Sequence, residues 1–477
     1  MIKSMKWLFL VSLTIVACNN DDEEMAQDVP VTAGSANFSK YVALGNSLTA
    51  GFTDGALFKA GQQNAYPKLM ADQFALVGGG AFNIPLMSDN VGGLMFGTTP
   101  LQGPRLIFNG SAPVPLPMTP TTQLLPALTG QFNNMGVPGA KSFHLLAPGY
   151  GNPTGVLTGT ANPYFVRFAS STSTSVLADA MAQQPTFFSL WIGNNDVLGY
   201  AMSGGDGSNP ITPATGAAGV GFDGTYNALV NTLTSGGAKG VVANIPYVTT
   251  IPFFTTVPFN AVPLTSGQAT ALNSGYATYN AGLVMAKNAG AITEEERLKR
   301  TITFVAGQNP VVIIDEYLTN LSTLGIPSYR QTTKEDFIVL SSQGTSAQAH
   351  LAAGNGTQYP LQDRWVVSKS EVTEIKTATD SYNATIKAAA NGKGLAFVDV
   401  NAVMNQLANG GIRFDNYHMT SSFVQGGTFG LDGIHLTARA NAYVANKFLE
   451  AINTTYGSTF KMYKPQDFVM SYPATLQ

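Results

Sequence analysis

Apolar and polar positions along the chain follow two alternating periods. Short, continuous apolar runs occur at Tyr41–Leu44, Phe187–Ile192, Gly240–Ile245 and Leu395–Val400. Each is too short for a helix and too uniformly apolar for a strand with one wet face, so each reads as a strand buried on both sides. Between them lie segments of helical spacing, such as Ser370–Ala390 and a stretch that begins close to Thr437 and runs through Ala445–Ile452. Strands of this kind alternating with helices predict an α/β fold, a parallel sheet covered on both faces. In such sheets the site lies at the carboxyl ends of the strands.

Three regions depart from this rhythm. Val77–Leu128 and Gly199–Gly224 are rich in Gly and Pro and read as loops. Pro246–Arg364 has strand candidates of its own at Val311–Ile314 and Phe337–Leu340, and is expected to form a small subdomain inserted into a domain that runs from Phe38 to the end. Tyr382-Asn383-Ala384 echoes Tyr279-Asn280-Ala281, but one short echo makes no repeat architecture.

Composition narrows the function classes. Of the 477 residues 44% are hydrophobic, enough for a sizeable core, while only 11% are charged against about 25% in an average soluble domain. The surface is therefore expected to carry neutral polar groups, and 50 Gly with 26 Pro imply many turns. A net charge of −3 without a basic patch argues against nucleic acid as a partner. Four scattered histidines without ligand spacing call for no metal, and nothing calls for a cofactor.

The N-terminus reads as an address. Lys3 and Lys6 precede the apolar stretch Trp7–Ala17, the pattern of a signal peptide over residues 1–17. Ile15-Val16-Ala17-Cys18 resembles the lipobox of bacterial lipoproteins, which implies cleavage before Cys18 and lipidation of its thiol. The alternative is an ordinary signal peptide with an incidental cysteine. Cys18 is the single cysteine, so no disulfide forms within the chain. The acidic run Asn19–Glu24 and the linker-like composition through Asn37 read as a solvated tether over residues 18–37. That run also resembles the acidic export signal of surface lipoproteins in Bacteroidetes-type bacteria. The implied location is the cell envelope, as an outer-membrane lipoprotein facing either the surface or the periplasm, with the lipid anchor as its only membrane contact.

The candidate chemistry follows the strands. Ser47 comes directly after the first, in Gly45-Asn46-Ser47-Leu48, where a tight loop would lift its hydroxyl from the sheet edge. By itself such a serine is equally a turn residue or a helix cap, and as a nucleophile it needs an adjacent base. Asn133–Gly139 and Trp191–Asp196 each place Gly or Asn in a loop, and Asp432-Gly433-Ile434-His435 places a carboxylate three residues before a histidine. Asp415-Asn416-Tyr417-His418 has the same spacing but no amphipathic helix directly after it, and His144 and His350 look structural or surface-bound.

Taken in order, these four blocks resemble those of the SGNH (GDSL-like) hydrolase family, with Asn46 in place of the Asp of the naming motif. The resemblance spans about Phe38 to Ile452. It implies a three-layer α/β/α sandwich with a flavodoxin-like parallel sheet and long insertions. It further implies Ser47 as nucleophile, His435 as base and Asp432 as its partner, with the Ser47 N–H, the Gly139 N–H and the Asn195 side chain as oxyanion donors; Gly136 is the other register for the glycine. The implied activity is hydrolysis of carboxylic esters. Lipid or small acyl esters and acetylated glycans are both open as substrates, and a non-catalytic binding lipoprotein on the same fold is the reading of another class. Ile251-Pro252-Phe253-Phe254, Val257 and Phe259 are expected either to line an acyl pocket or to pack the insertion onto the core. The lipobox reading predicts that cells fed an alkyne fatty acid label the wild-type chain and not Cys18→Ser; equal label on both would remove the lipoprotein assignment.

Overall fold

The computed structural model describes residues 30–340, 351–414 and 417–476. The signal peptide, Cys18 and the acidic run Asn19–Glu24, together with His350, Asp415 and Asn416, lie outside the described residues.

Five strands form the central sheet: β1 (Tyr41–Gly45), β2 (Asn134–Gly136), β3 (Phe187–Trp191), β4 (Lys239–Ala243) and β5 (Ala396–Val398). Their order is β5-β4-β3-β1-β2 and every pair is parallel. That is the flavodoxin-like order, with its switch point between β1 and β3. β1 and β3 are buried along their whole length, as uniformly apolar strands must be when both faces are covered.

The covering helices are α1 (Ser47–Ala50), α2 (Tyr66–Ala75), α3 (Val176–Ala182), α4 (Asn194–Met202), α5 (Phe222–Thr234), α6 (Lys369–Lys393), α7 (Val400–Ala408) and α8 (Ala438–Tyr456). α8 packs on α2 and lies over β4 and β5, while α6 packs on α4 and α5 and meets the same two strands from the other side. The chain is thus a three-layer α/β/α sandwich. On the α2–α8 side Phe187 meets the rings of Phe74 and Tyr456, and Trp191 meets those of Tyr66 and Phe448. On the other, Phe222 of α5 stacks on Tyr382 of α6 at 4.1 Å. Large aromatic areas removed from water on both faces are what hold the layers together.

Local chemistry sets the ends of these elements. The strand expected to reach Val400 stops at Val398, because the Asp399 carboxylate accepts from the Ala402 N–H at 3.0 Å and caps α7. Thr437 caps α8 in the same way, its Oγ1 accepting from the Ala440 N–H at 3.1 Å. β2 has only three residues, too few to show a period, and the sequence placed them in a loop.

Two expectations need correction. The tether expected to run through Asn37 is fastened well before that point: the Thr32 N–H donates to Thr459 Oγ1 and the Ser35 N–H to the Tyr456 carbonyl, both at 2.8 Å. Val77–Leu128, expected as loop, contains the hairpins Leu94–Phe96 with Thr99–Gln102 and Leu106–Phe108 with Pro113–Pro115. Pro246–Arg364 carries helices at Ser266–Gly275, Ala277–Asn288 and Glu294–Arg300, and has apolar clusters of its own. Within it Val312–Ile314 pairs with Tyr329–Gln331, and Phe337–Ile338 pairs with Val366–Val367 just beyond it.

α1 sits directly on β2. A Cβ on Gly136 would run into the backbone nitrogen of Ala50, and Asn134 Nδ2 donates to the Thr49 carbonyl at 2.9 Å, so the glycine is required by close approach. Gly136→Ala is therefore expected to destabilise the fold by about 1–3 kcal/mol. Gly392→Ala, where an added methyl meets nothing within 4 Å, is expected to be neutral or slightly stabilising. Denaturant midpoints of the two variants check this; equal midpoints would show that α1 lifts off β2 without cost.

Candidate active site

Pairing in the sheet aligns Gly45 of β1 with Gly136 of β2 on one side and Trp191 of β3 on the other, so the three following loops leave the carboxyl edge level with one another. Ser47 comes from the first loop, Gly139 from the second and Asn195 from the third.

Asn46 prepares Ser47. Its Oδ1 accepts from the Leu48 N–H at 3.0 Å, and its Nδ2 donates to Asn194 Oδ1 at 3.3 Å. The amide thus supplies both an acceptor and a donor at the position where the resembled motif has Asp. Ser47 Oγ lies 2.9 Å from His435 Nε2, and His435 Nδ1 lies 2.8 Å from Asp432 Oδ2. The Asp432 carboxylate also accepts from the N–H groups of His435 (2.9 Å), Ile434 (2.8 Å) and Gly55 (2.8 Å). Burial pushes this carboxyl up, but the neighbouring imidazole and the hydrogen bonds from His435 and Ile434 outweigh burial and hold it down at about 2. A carboxylate that stays charged keeps a proton on Nδ1 and leaves Nε2 to accept from the serine hydroxyl. The Phe52 ring packs on the imidazole, centroid to centroid 4.6 Å.

Gly139 has φ +79°, and a Cβ built there would meet only Asn162 Nδ2 at 4.0 Å, so backbone conformation rather than space calls for glycine. Asn162 Nδ2 donates to the Pro138 carbonyl at 2.8 Å. In a trans peptide this turns the Gly139 N–H the opposite way, and among the described residues that N–H makes no hydrogen bond. Asn195 Nδ2 donates to the Ala140 carbonyl at 2.9 Å, which uses one of its two amide hydrogens. Beside it, Asp196 accepts from the Ser142 N–H at 2.8 Å and Ser142 Oγ at 2.7 Å. The start of α4 therefore grips the loop after β2 at two points. Gly136, the other register, is the last residue of β2 and is buried beneath α1, packed against the Thr49–Ala50 backbone.

The remaining histidines are placed elsewhere. His418 sits exposed on the hairpin Ile412–Phe414 with Tyr417–Met419, its Nε2 2.8 Å from the Gly410 carbonyl. His144 Nδ1 accepts from the Lys141 N–H at 3.0 Å, and its ring stacks on Tyr150 at 4.5 Å. Burial and the Lys141 charge push His144 down to about 4, so it is a neutral acceptor. The Tyr150 hydroxyl in turn accepts from Asn162 at 3.1 Å, which puts His144 behind the Gly139 loop. No group of residues able to hold a metal ion occurs among the described residues.

An apolar cavity adjoins Ser47 and His435, with Trp191, Val248, Ile251 and Leu407 among its walls. Of the apolar stretch expected to line a pocket or pack the insertion, Ile251 alone borders this space. Phe253 and Phe254 pack in the main core and Val257 in the insertion, while the Phe253 N–H donates to the Gly433 carbonyl at 3.0 Å and steadies the loop that carries Asp432.

No family model matches the chain, and no curated protein matches it. Two solved structures show a faint likeness. One is an alpha/beta hydrolase enzyme from the metagenome of Lake Arreo, Spain, 11% identical over 88% of this chain and 96% of that one, with TM-score 0.32. The other is an extracellular lipase from Streptomyces rimosus, 12% identical over 87% of this chain and 98% of that one, with TM-score 0.30. Likeness at this level leaves the chemistry to be argued from the residues themselves.

Reading the motifs missed Asp54, Gly55 and Asn162. Asp54-Gly55 signals only a turn, and Asn162-Pro163 only a helix start. Asp54 is buried at φ +51°, its Oδ1 accepting from the Leu431 N–H at 2.7 Å, while its Oδ2 has no partner among the described residues. Burial pushes this carboxyl up to about 7, and the Asp432 charge adds to that, against the Leu431 hydrogen bond and the charges of Arg105 and His435. A carboxyl raised in the folded state holds its proton where the unfolded chain has lost it. Asp54 therefore costs stability progressively as pH rises from about 4 to 7, and no further above that. Asp54→Asn is expected to gain on the wild type across this window. Melting temperatures of both proteins between about pH 4.5 and 8 check it; a difference that does not change with pH would contradict the assignment.

Proposed function

We propose that this chain is a serine-type hydrolase of carboxylic esters, of the SGNH kind. The observation that carries the reading is the hydrogen-bonded chain Ser47–His435–Asp432, which joins residues 388 apart in sequence with the carboxylate held ionised. Ser47 Oγ attacks the ester carbonyl carbon while its proton passes to His435 Nε2. The oxyanion that forms meets the N–H groups of Ser47 and Gly139 and the free amide hydrogen of Asn195, donors fixed before the substrate arrives. Collapse breaks the bond to the alcohol oxygen, which takes the proton from His435, and leaves an acyl-Ser47 ester. Water then repeats the attack with His435 as base, and the carboxylic acid leaves as Ser47 regains its proton. Every step uses side chains and water, without a cofactor.

A non-catalytic binding role has less support, since it gives no reason for a serine hydroxyl to be hydrogen-bonded to a histidine whose other nitrogen faces a buried carboxylate. The lipobox supports the further proposal that the enzyme is tethered to the cell envelope through Cys18. Among the described residues no helix is long and apolar enough to cross a membrane.

Ser47→Ala is expected to abolish hydrolysis of p-nitrophenyl esters. His435→Ala is expected to lower kcat by several orders of magnitude and Asp432→Asn by about 10⁴-fold, whereas His418→Ala leaves it near wild type. Steady-state kinetics on the folded variants decide this. If His418→Ala proves more damaging than His435→Ala, the base has been misassigned.

A further inference from the structure

We infer that the cavity beside Ser47 is a tunnel for the aliphatic chain of a fatty acyl ester, which deepens the ester hydrolase reading and rests on it. One wall is made by Val400, Met404 and Leu407 of α7 and by Ile412 and Met419 of the following hairpin, all of them buried. Ser47 and His435 border the same space. Protein interiors are close-packed, and an apolar void weakens the fold in proportion to its size. Here the wall is pinned open. The Asn401 N–H donates to Asn244 Oδ1 at 2.9 Å and Asn401 Nδ2 to the Ile245 carbonyl at 3.0 Å, which ties the start of α7 to the end of β4.

Chemistry selects the occupant. Away from Ser47, His435 and Asn195, three polar groups that border the space are engaged elsewhere. Asn194 Oδ1 accepts from Asn46, the Trp191 indole N–H donates to the Asn244 carbonyl at 3.1 Å, and the Thr428 hydroxyl donates to the Thr420 carbonyl at 2.7 Å. Sugar hydroxyls placed against Val400, Met404, Leu407, Ile412 and Met419 would lose water and gain no hydrogen bond from those side chains, whereas methylenes lose nothing. An acetylated glycan is thereby disfavoured as the occupant. The acyl side of the ester fits better than the alcohol side. The acyl group stays bonded to Ser47 after the alcohol has left, until water removes it, and an apolar cavity walled by buried side chains beside the nucleophile suits the group that stays. Two methionines in this wall allow it to adapt to chains of different shape.

The test has two arms. In the first, wild-type kcat/KM is measured on p-nitrophenyl esters from acetyl to palmitoyl and on alkyl acetates of matching length. Each methylene added to the acyl chain is expected to raise kcat/KM by about fourfold until the tunnel is full, with little dependence on alkyl length. Met404→Trp is expected to lower the decanoyl-to-acetyl ratio of kcat/KM on the order of tenfold or more. A flat acyl profile in a protein that hydrolyses the acetate, or a dependence confined to the alkyl series, would overturn the inference while leaving the esterase reading intact. In the second arm, Ser47→Ala is titrated with cis-parinarate, a fluorescent fatty acid, and the probe is displaced with oleate. Binding that oleate competes away supports the tunnel whether or not any ester is turned over; no binding overturns it. Absence of turnover on every ester, by contrast, would sink the proposed activity. The wild-type profile and the binding arm stand even where Met404→Trp fails to fold.

Discussion

The register that sets Gly45 between Gly136 and Trp191 is the constraint on which the rest of the site depends. Three parallel strands that end level deliver three loops to one edge, and each loop brings one polar group: a hydroxyl, a backbone N–H and a side-chain amide. The register holds because Tyr41, Phe187 and Trp191 are wedged among rings from α2 and α8, so slipping by one residue would turn those rings into the wrong layer. The same packing fixes the fourth component. α8 can cover β4 and β5 and rest on α2 only in one position, and its cap, Thr437, stands two residues after His435. The imidazole is therefore delivered to Ser47 by the packing of a layer.

Two carboxyls near the imidazole show how donors decide charge. Asp432 and Asp54 are both buried, and burial pushes both up. Asp432 accepts hydrogen bonds from His435 Nδ1 and from three backbone N–H groups and ends at about 2; Asp54 accepts from the Leu431 N–H and ends at about 7. One turn serves both, since Asp54 and the Gly55 N–H that donates to Asp432 are adjacent. A single charge facing Nδ1 defines the tautomer, and a second full charge beside it would compete for the same imidazole while raising the cost of burying both. A carboxyl raised to about 7 is neutral in about half of the molecules at that pH and increasingly so below it, which lessens that conflict.

Four of the five strands, α6 and α8 were legible from period alone, because a strand buried on both faces is written as an unbroken apolar run and a packed helix as a repeating stripe. The pairs Ser47 with His435 and His435 with Asp432, which the motifs named, do meet in space. What stayed hidden has a physical cause in each case. β2 is too short for any period, and it sits in the sheet because Gly136 lets α1 approach. Asn162 acts through a carbonyl on a distant loop, a contact that leaves no spacing in the sequence. Asp54 reads as a turn residue because its neighbour is glycine, and only burial reveals it as a titrating group. The cavity walls were misplaced for a related reason. An aromatic run such as Phe253-Phe254 draws attention by composition, whereas Val400, Met404 and Leu407 look like any buried helix stripe until they prove to border the cavity beside Ser47 as well.

The origins of these walls separate two tasks. The reacting groups come from the carboxyl edge of the sheet and from the turn before α8, where backbone hydrogen bonds and ring packing leave little freedom. One wall of the cavity comes from α7 and the hairpin after it, a connection between β5 and α8 that contributes no strand to the sheet. Residues on this connection make none of the backbone pairings that align Gly45, Gly136 and Trp191, although their side chains are part of the same core. The large insertion between β4 and α6 has helices and apolar clusters of its own and gives the cavity little beyond Pro246, Val248 and Ile251 at its first turn. On the proposed reading, chain-length selection would fall to a few side chains on one short helix and one hairpin, which share a core with the sheet that carries Ser47.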